Sequence, residues 1–193
     1  MKAQGTETKI PTISPEMKII QNESNDGDDQ IKTNQTKKFA HSTYYGDILH
    51  GKAHGQGKLV WDNGNQIYEG DFKNDDLNGR GKMKWKDGLE YDGEWKDGMR
   101  SGKGHLKTAN GEEYDGEWKG DKRNGEGIYR WPSGQVYEGH FLNGKSDGYG
   151  IQTYPDGGIY KGQWISDRKN GYGEYKFPNK ELIHGNWTDD KLI

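Results

Sequence analysis

Five tyrosines, Tyr68, Tyr91, Tyr114, Tyr137 and Tyr160, stand 23 residues apart, and Tyr44 precedes the first of them by 24. So short and regular a period means that each unit is one supersecondary element. Such a unit cannot bury an apolar face alone and must stack on its neighbours. With each Tyr as position 0, glycine follows at position 2, as Gly46, Gly70, Gly93, Gly116, Gly139 and Gly162. Position 4 is large and apolar: Ile48, Phe72, Trp95, Trp118, Phe141 and Trp164. Positions 11 and 13 are both glycine in all six units: Gly55 and Gly57, Gly79 and Gly81, Gly102 and Gly104, Gly125 and Gly127, Gly148 and Gly150, Gly171 and Gly173. Position 20 is glycine in the first five units and Lys180 in the sixth, and a seventh start, Ile183-His-Gly-Asn-Trp187, stops after half a unit.

Side chains alternate along a strand, so positions 0, 2 and 4 share one face and positions 11, 13, 15 and 17 share a face of a second strand. Position 15 carries Leu59, Met83, Leu106, Tyr129 and Tyr175, and position 17 carries Trp61, Trp85, Trp131, Tyr154 and Phe177. Turn formers such as Asp97-Gly98 and Asn143-Gly144 separate the two strands, so each unit reads as a β-hairpin. Pairing position 4 with position 11 across a six-residue connection sets Trp95 against Gly102, Gly93 against Gly104 and Tyr91 against Leu106. In that register a ring lies flat over the partner backbone, which offsets the packing that glycine removes from a strand. The same register opposes Asp71 to Arg80 and Glu94 to Lys103 on the outer face, and sets Glu117 unfavourably against Glu126. The expected fold is all-β: an elongated, twisted, single-layer sheet of antiparallel hairpins, six units and a half over residues 44–187, closed by residues 188–193 as a polar end.

Hydrophobic residues make up only 28% of the chain, yet 7 Trp and 12 Tyr supply the buried area a core needs. Cysteine is absent, which excludes disulfides, thiolate metal sites and cysteine nucleophiles. A formal net charge of −3 makes no electrostatic case for nucleic acid. No apolar run approaches the roughly 20 residues of a membrane span, and the N-terminus carries no signal-peptide core. The expected setting is cytoplasmic. Residues 1–43 contain no Tyr or Trp and read as a polar tail, disordered or docked on a partner. Within it, Lys9-Ile-Pro-Thr-Ile-Ser-Pro-Glu-Met-Lys-Ile-Ile20 offers Ile10, Ile13, Met17, Ile19 and Ile20 for docking on a neighbouring surface.

The phrases Tyr68-Glu-Gly-Asp-Phe72, Tyr91-Asp-Gly-Glu-Trp95 and Tyr114-Asp-Gly-Glu-Trp118, each followed by Gly-x-Gly as in Asn124-Gly-Glu-Gly127, closely resemble the MORN repeat (membrane occupation and recognition nexus). The resemblance covers residues 44 to 187; Tyr45, Ile48 and Ile183 depart from the pattern in terminal units. It implies a rod or curved sheet of hairpins used for assembly. It further implies a non-enzymatic scaffold for protein–protein interaction, most like a small subunit of a cytoskeletal, ciliary or axonemal structure such as a radial spoke. Helical or extended segments of other subunits are the implied partners, on an aromatic face of Trp61, Phe72, Trp85, Tyr91, Trp95, Tyr114, Trp118, Trp131, Tyr137, Phe141, Tyr160 and Trp164. The family name also raises a membrane-surface or phosphoinositide-binding adaptor. For that role, Lys122-Arg123 and Arg168-Lys169 are the basic groups that would meet headgroups.

No residues point to catalysis or a cofactor. Gly139-His-Phe-Leu-Asn-Gly-Lys-Ser146 spells a phosphate-binding pattern, but the repeat places it in a hairpin and not before a helix. The six histidines form no ligand pair. The acidic row Glu69, Asp71, Asp92, Glu94, Asp115, Glu117 and Glu138 reads as a solvated outer face, with no second group across a cleft.

Overall fold

A computed structural model describes residues 30–193. They form one open antiparallel sheet of 15 strands, each hydrogen-bonded to its neighbours in sequence, with no helix. The strands are β1 (Lys32–Lys38), β2 (Ser42–Leu49), β3 (Lys52–Trp61), β4 (Gln66–Lys73), β5 (Asp76–Trp85), β6 (Glu90–Lys96), β7 (Met99–Lys107) and β8 (Glu113–Lys119). They continue as β9 (Lys122–Arg130), β10 (Val136–Leu142), β11 (Lys145–Thr153), β12 (Ile159–Ile165), β13 (Arg168–Lys176), β14 (Leu182–Thr188) and β15 (Lys191–Leu192). At about 4.8 Å per strand the stack runs on the order of 70 Å.

Within each hairpin the expected pairs Tyr91–Leu106 and Gly93–Gly104 are present, but the expected six-residue connection is not. Past Gly93 the ladder shifts by a bulge, and Trp95 faces Arg100 while Lys96 faces Met99. A two-residue turn then closes the hairpin. Both central residues of every such turn have positive φ: His50 and Gly51, Asn74 and Asp75, Asp97 and Gly98, Gly120 and Asp121, Asn143 and Gly144, Ser166 and Asp167, Asp189 and Asp190. This type I′ geometry matches the twist of the flanking strands, and the residue it leaves over is taken up at position 11, where Gly102 sits at φ 57° and Gly79 at 79°. Positive φ, not ring packing, is therefore the reason for the position 11 glycine. Position 4 meets position 11 of the preceding unit instead, as Gly79 with Trp95 and Gly102 with Trp118. The shift also re-pairs the charges. Arg80 lies opposite Glu94, Lys103 opposite Glu117 and Glu126 opposite His140, so the unfavourable Glu117–Glu126 pair does not form.

The phosphate-binding pattern is one of these hairpins: Phe141 faces Ser146 across the Asn143-Gly144 turn, and Ser146 is buried, its N–H bound to the Asp167 carboxylate at 2.6 Å.

The sheet also begins earlier than the repeat. Residues 32–38 form β1 against β2, and Phe39 is buried, so the expected tail does not extend through residues 32–43. Backbone pairing holds this polar strand, aided by Lys37 Nζ bound to the Asp75 carboxylate at 2.6 Å and to the Gly51 carbonyl at 2.8 Å. The candidate docking residues Ile10, Ile13, Met17, Ile19 and Ile20 lie outside the described residues. At the other end the Asp189-Asp190 turn folds Leu192 back over Gly185, where other units carry a Tyr ring.

The loops at the opposite edge place position 20 at positive φ in every unit, including Lys180 at 72°. A side chain in that region costs about 1–2 kcal/mol. Lys180→Gly is expected to raise unfolding stability by about 1 kcal/mol, read as a higher urea midpoint at unchanged m-value.

Candidate functional site: the aromatic face

Each position 0 tyrosine lies flat across its own pair of glycines. A Cβ on Gly81 would stand 2.1 Å from the Tyr68 hydroxyl, and one on Gly70 would meet the Gly81 Cα at 2.4 Å. Beyond the glycines the hydroxyl donates to the position 3 carbonyl, which lies at the bulge where the ladder shifts. The bonds run from Tyr44 to Asp47 (2.7 Å), Tyr68 to Asp71 (3.0 Å), Tyr91 to Glu94 (3.0 Å), Tyr114 to Glu117 (2.9 Å), Tyr137 to His140 (3.0 Å) and Tyr160 to Gln163 (3.1 Å). All six tyrosines are 0% exposed. Acidic position 3 side chains serve the same bulge: Asp71 accepts the Arg80 N–H at 2.7 Å and Glu94 the Lys103 N–H at 3.0 Å. Part of the acidic row thus satisfies backbone.

Position 4 rings wedge between successive tyrosines, edge to face. The column runs Tyr44, Phe72, Tyr68, Trp95, Tyr91, Trp118, Tyr114, Phe141, Tyr137, Trp164, Tyr160, Trp187, with centroids 4.7–5.5 Å apart. Each contact is worth about 0.5–1.5 kcal/mol beyond area burial. Every tryptophan of the column donates its indole N–H to a glycine carbonyl of the preceding unit, Trp95 to Gly81 at 3.0 Å and Trp118 to Gly104 at 3.1 Å among them.

The column is a core that the sheet builds on its own surface. Phe72, Tyr91, Trp95, Tyr114, Trp118, Tyr137, Phe141, Tyr160 and Trp164 are consumed in it, and Trp85 is buried beside it. Trp61 and Trp131 are only partly covered, as are Tyr129, Tyr154 and Tyr175 in the adjoining strip.

A second column, at position 9, is hidden in the sequence by its mixed chemistry: Ala53, Leu77, Arg100, Arg123, Ser146 and Lys169. The inward-facing Ala53 and Leu77 at the same repeat position are the signal that could have revealed it. Arg100 is 3% exposed, with its guanidinium 4.6 Å from the Trp118 ring and its Nε bound to the Asp121 carboxylate at 3.0 Å. Its Nη1 finds no partner, and burial lowers its pKa against the pull of Asp121. Arg123 lies 4.7 Å from Tyr129 and donates to the Gly144 carbonyl at 2.6 Å. Lys169 sits among four rings, Tyr154, Tyr160, Tyr175 and Trp187, at 5.0–5.3 Å, and burial lowers its pKa with Asp190 opposing. Two of the basic groups expected to meet headgroups are therefore turned inward onto rings, and Arg168 is bound to Asp189 at 3.0 Å.

Among the described residues no three His, Asp or Glu side chains converge to hold a metal, and no helix is long and apolar enough to cross a membrane.

The MORN repeat family model matches six consecutive stretches, residues 44–66, 68–90, 91–113, 114–136, 137–159 and 160–181. The chain belongs to the MORN-repeat family. Its repeats are a non-catalytic module, and their boundaries coincide with the tyrosine period. No curated protein matches the chain. Solved structures that match the chain include the TCP domain of SAS-4 (dCPAP) in complex with a proline-rich motif of Ana2 (dSTIL) from Drosophila melanogaster, at 13% identity and TM-score 0.47, covering 88% of this chain and 97% of that one. The Drosophila melanogaster Sas-4 TCP10c domain matches at 14% identity and TM-score 0.37, covering 80% and 98%. The Danio rerio CPAP TCP10 domain in complex with a STIL peptide matches at 15% and 0.25, covering 82% and 96%.

Two predictions test the MORN core. Burial pushes the Tyr44 and Tyr160 hydroxyls up to about 12, and those of Tyr68, Tyr91, Tyr114 and Tyr137 higher. The folded protein holds these protons where the unfolded chain, with tyrosine near 10, releases them. Stability from this source is complete below pH 10 and falls as pH rises toward 12, which urea midpoints across that range will show. For the buried ion pair, Arg100→Leu, which copies Leu77, should leave stability unchanged or raise it by about 1 kcal/mol or more. Asp121→Ala strands the guanidinium and should cost about 3 kcal/mol.

Proposed function

We propose that this MORN array is a non-enzymatic scaffold whose aromatic face takes a helical or extended segment of another protein subunit. The setting we propose is a cytoplasmic, cytoskeletal or axonemal assembly of the radial-spoke kind. One observation carries the reading of the face. Beside the sealed column runs a half-covered aromatic strip, Trp61, Tyr129, Trp131, Tyr154 and Tyr175, which the sheet has no second layer to cover. Large rings with low side-chain entropy are the anchors by which interfaces gain most of their affinity. The inward-facing residues beside the strip change along it, from Leu59, Leu77 and Met83 in the first units to Arg123 and Lys169 in the later ones. That gradient would fix which way round a segment lies.

Gently purified native protein at endogenous level, crosslinked and read by mass spectrometry, tests this. Stoichiometric crosslinks to defined subunits of a large particle are expected, and Trp131→Ser should weaken binding to the subunit so identified by about 30-fold with the near-ultraviolet spectrum of the core retained. Partners held equally by the Trp131→Ser and Trp61→Ser variants would show that the strip is not the site. Protein that migrates alone and binds anionic vesicles in a salt-sensitive way would replace the scaffold with the headgroup-binding reading.

A further inference from the structure

The opposite, outer face of the sheet is not uniform. Over the first half, charged side chains pair across strands: Lys58 with Glu69 at 2.7 Å, Lys82 with Glu90 at 2.9 Å, Lys107 with Glu113 at 3.2 Å. From β9 onward position 14 carries Ile128 and Ile151 and position 12 carries Tyr149 and Tyr172, the two tyrosines 56% and 61% exposed, and Lys161 and Glu174 lie opposite each other beyond Ile151. Among the described residues, the one ion pair beyond that point is Arg168 with Asp189, at the turn edge. Glu126 and Glu138 line a shallow groove with His140, Tyr149 and Ile151, and neither has a cation within ion-pair distance among the described residues. A surface of exposed tyrosine and half-buried isoleucine with two unpaired carboxylates calls for a cover that is aliphatic and basic.

We propose that this cover is the chain's own segment Lys9–Ile20, laid extended along the outer face from about β9 onward. The proposal is independent of the partner proposed for the aromatic face.

Composition is the first argument. The segment brings Ile10, Ile13, Met17, Ile19 and Ile20 together with Lys9 and Lys18, and Pro11 and Pro15 favour an extended backbone. Reach is the second. Strand β10 lies nine strands from β1, about 43 Å along the stack. Counting from Ile31 at about 3.3 Å per residue, Ile20 reaches about 36 Å and Ile10 about 69 Å, so the segment spans the part of the face where the ion-pair ladder ends. Charge selects the face. The later half of the aromatic side carries Arg123 and Lys169, which disfavour a segment holding two lysines, whereas the outer side offers Glu126 and Glu138 at the groove, with Lys161 lying opposite Glu174 beyond it.

The chain has no cysteine, so disulfide trapping in the full-length protein is clean. Three double variants are oxidised at low micromolar concentration: Ile13→Cys, which at about 59 Å from Ile31 reaches β11 about 48 Å away, with Tyr149→Cys, with Thr108→Cys on the aromatic face, and with Glu69→Cys on the charged half of the outer face. The first pair is expected to close within one chain at least about tenfold faster than the others, as an effective concentration in the millimolar range implies. Adding Glu126→Lys and Glu138→Lys should remove that advantage. Gln163→Cys, the cross-strand neighbour of Tyr149, repeats the test with the tyrosine in place. Equal rates for all pairs, fastest closure on the aromatic face, or disulfides that form mainly between two chains would each overturn the proposal.

Discussion

A tyrosine lying across two glycines, its hydroxyl bonded to a carbonyl at a bulge, is the contact on which this molecule depends. A single-layer sheet has no opposing layer to bury its apolar face, so it must find depth within its own thickness. Removing two Cβ atoms from facing strands opens a trough one ring deep, and the Tyr fills it. The bulge that turns the chain in two residues also disturbs the ladder at position 3, and the Tyr hydroxyl takes up the carbonyl there. Backbone irregularity and side-chain burial therefore satisfy one another. With the tyrosine sunk to 0% exposure, the next unit's ring stands edge-on against it, and the stack propagates.

Much of this was legible because it repeats. The period, the hairpin, the ring over glycine and the facing pairs Gly93–Gly104 and Tyr91–Leu106 all follow from residue types at fixed spacing. The turn was not legible, although its signature was present in Asp97-Gly98 and Asn143-Gly144. A glycine required for positive φ and one required for space look alike in a sequence, and position 11 was taken for the second kind. Strand β1 was hidden for a different reason. Its residues, KTNQTKK, are polar on both faces, and what orders them is an edge already waiting to be paired. Of the candidate aromatic face, the sequence indicated the residues but not their division between a sealed column and a half-open strip, which depends on which rings the next unit covers.

The two faces change character together near the middle of the array. Toward the N-terminal end the inner face buries Ala53, Leu59, Leu77 and Met83 beside the ring column, and the outer face is laced with ion pairs. Toward the C-terminal end cations lie over the inner rings, and isoleucine and tyrosine emerge outside. The backbone repeats nearly unchanged through this switch, because the residues at positions 0, 2, 11 and 13 and in the turns hold it in every unit. Positions 9, 12 and 14 differ from unit to unit within this chain.

The seams between units have a mechanical consequence. In each one a turn N–H bonds to the carbonyl of position 9 in the preceding unit, as Gly98 to Leu77, Asp121 to Arg100 and Asp167 to Ser146. These stitches and the ring contacts are nearly the same at every junction, with an indole bond added wherever position 4 is Trp, so a whole unit inserted or removed would meet closely matching neighbours on both sides. The array can thus act as a graduated ruler whose marks are about 10 Å apart, and its length is a quantity that gene duplication can adjust one graduation at a time.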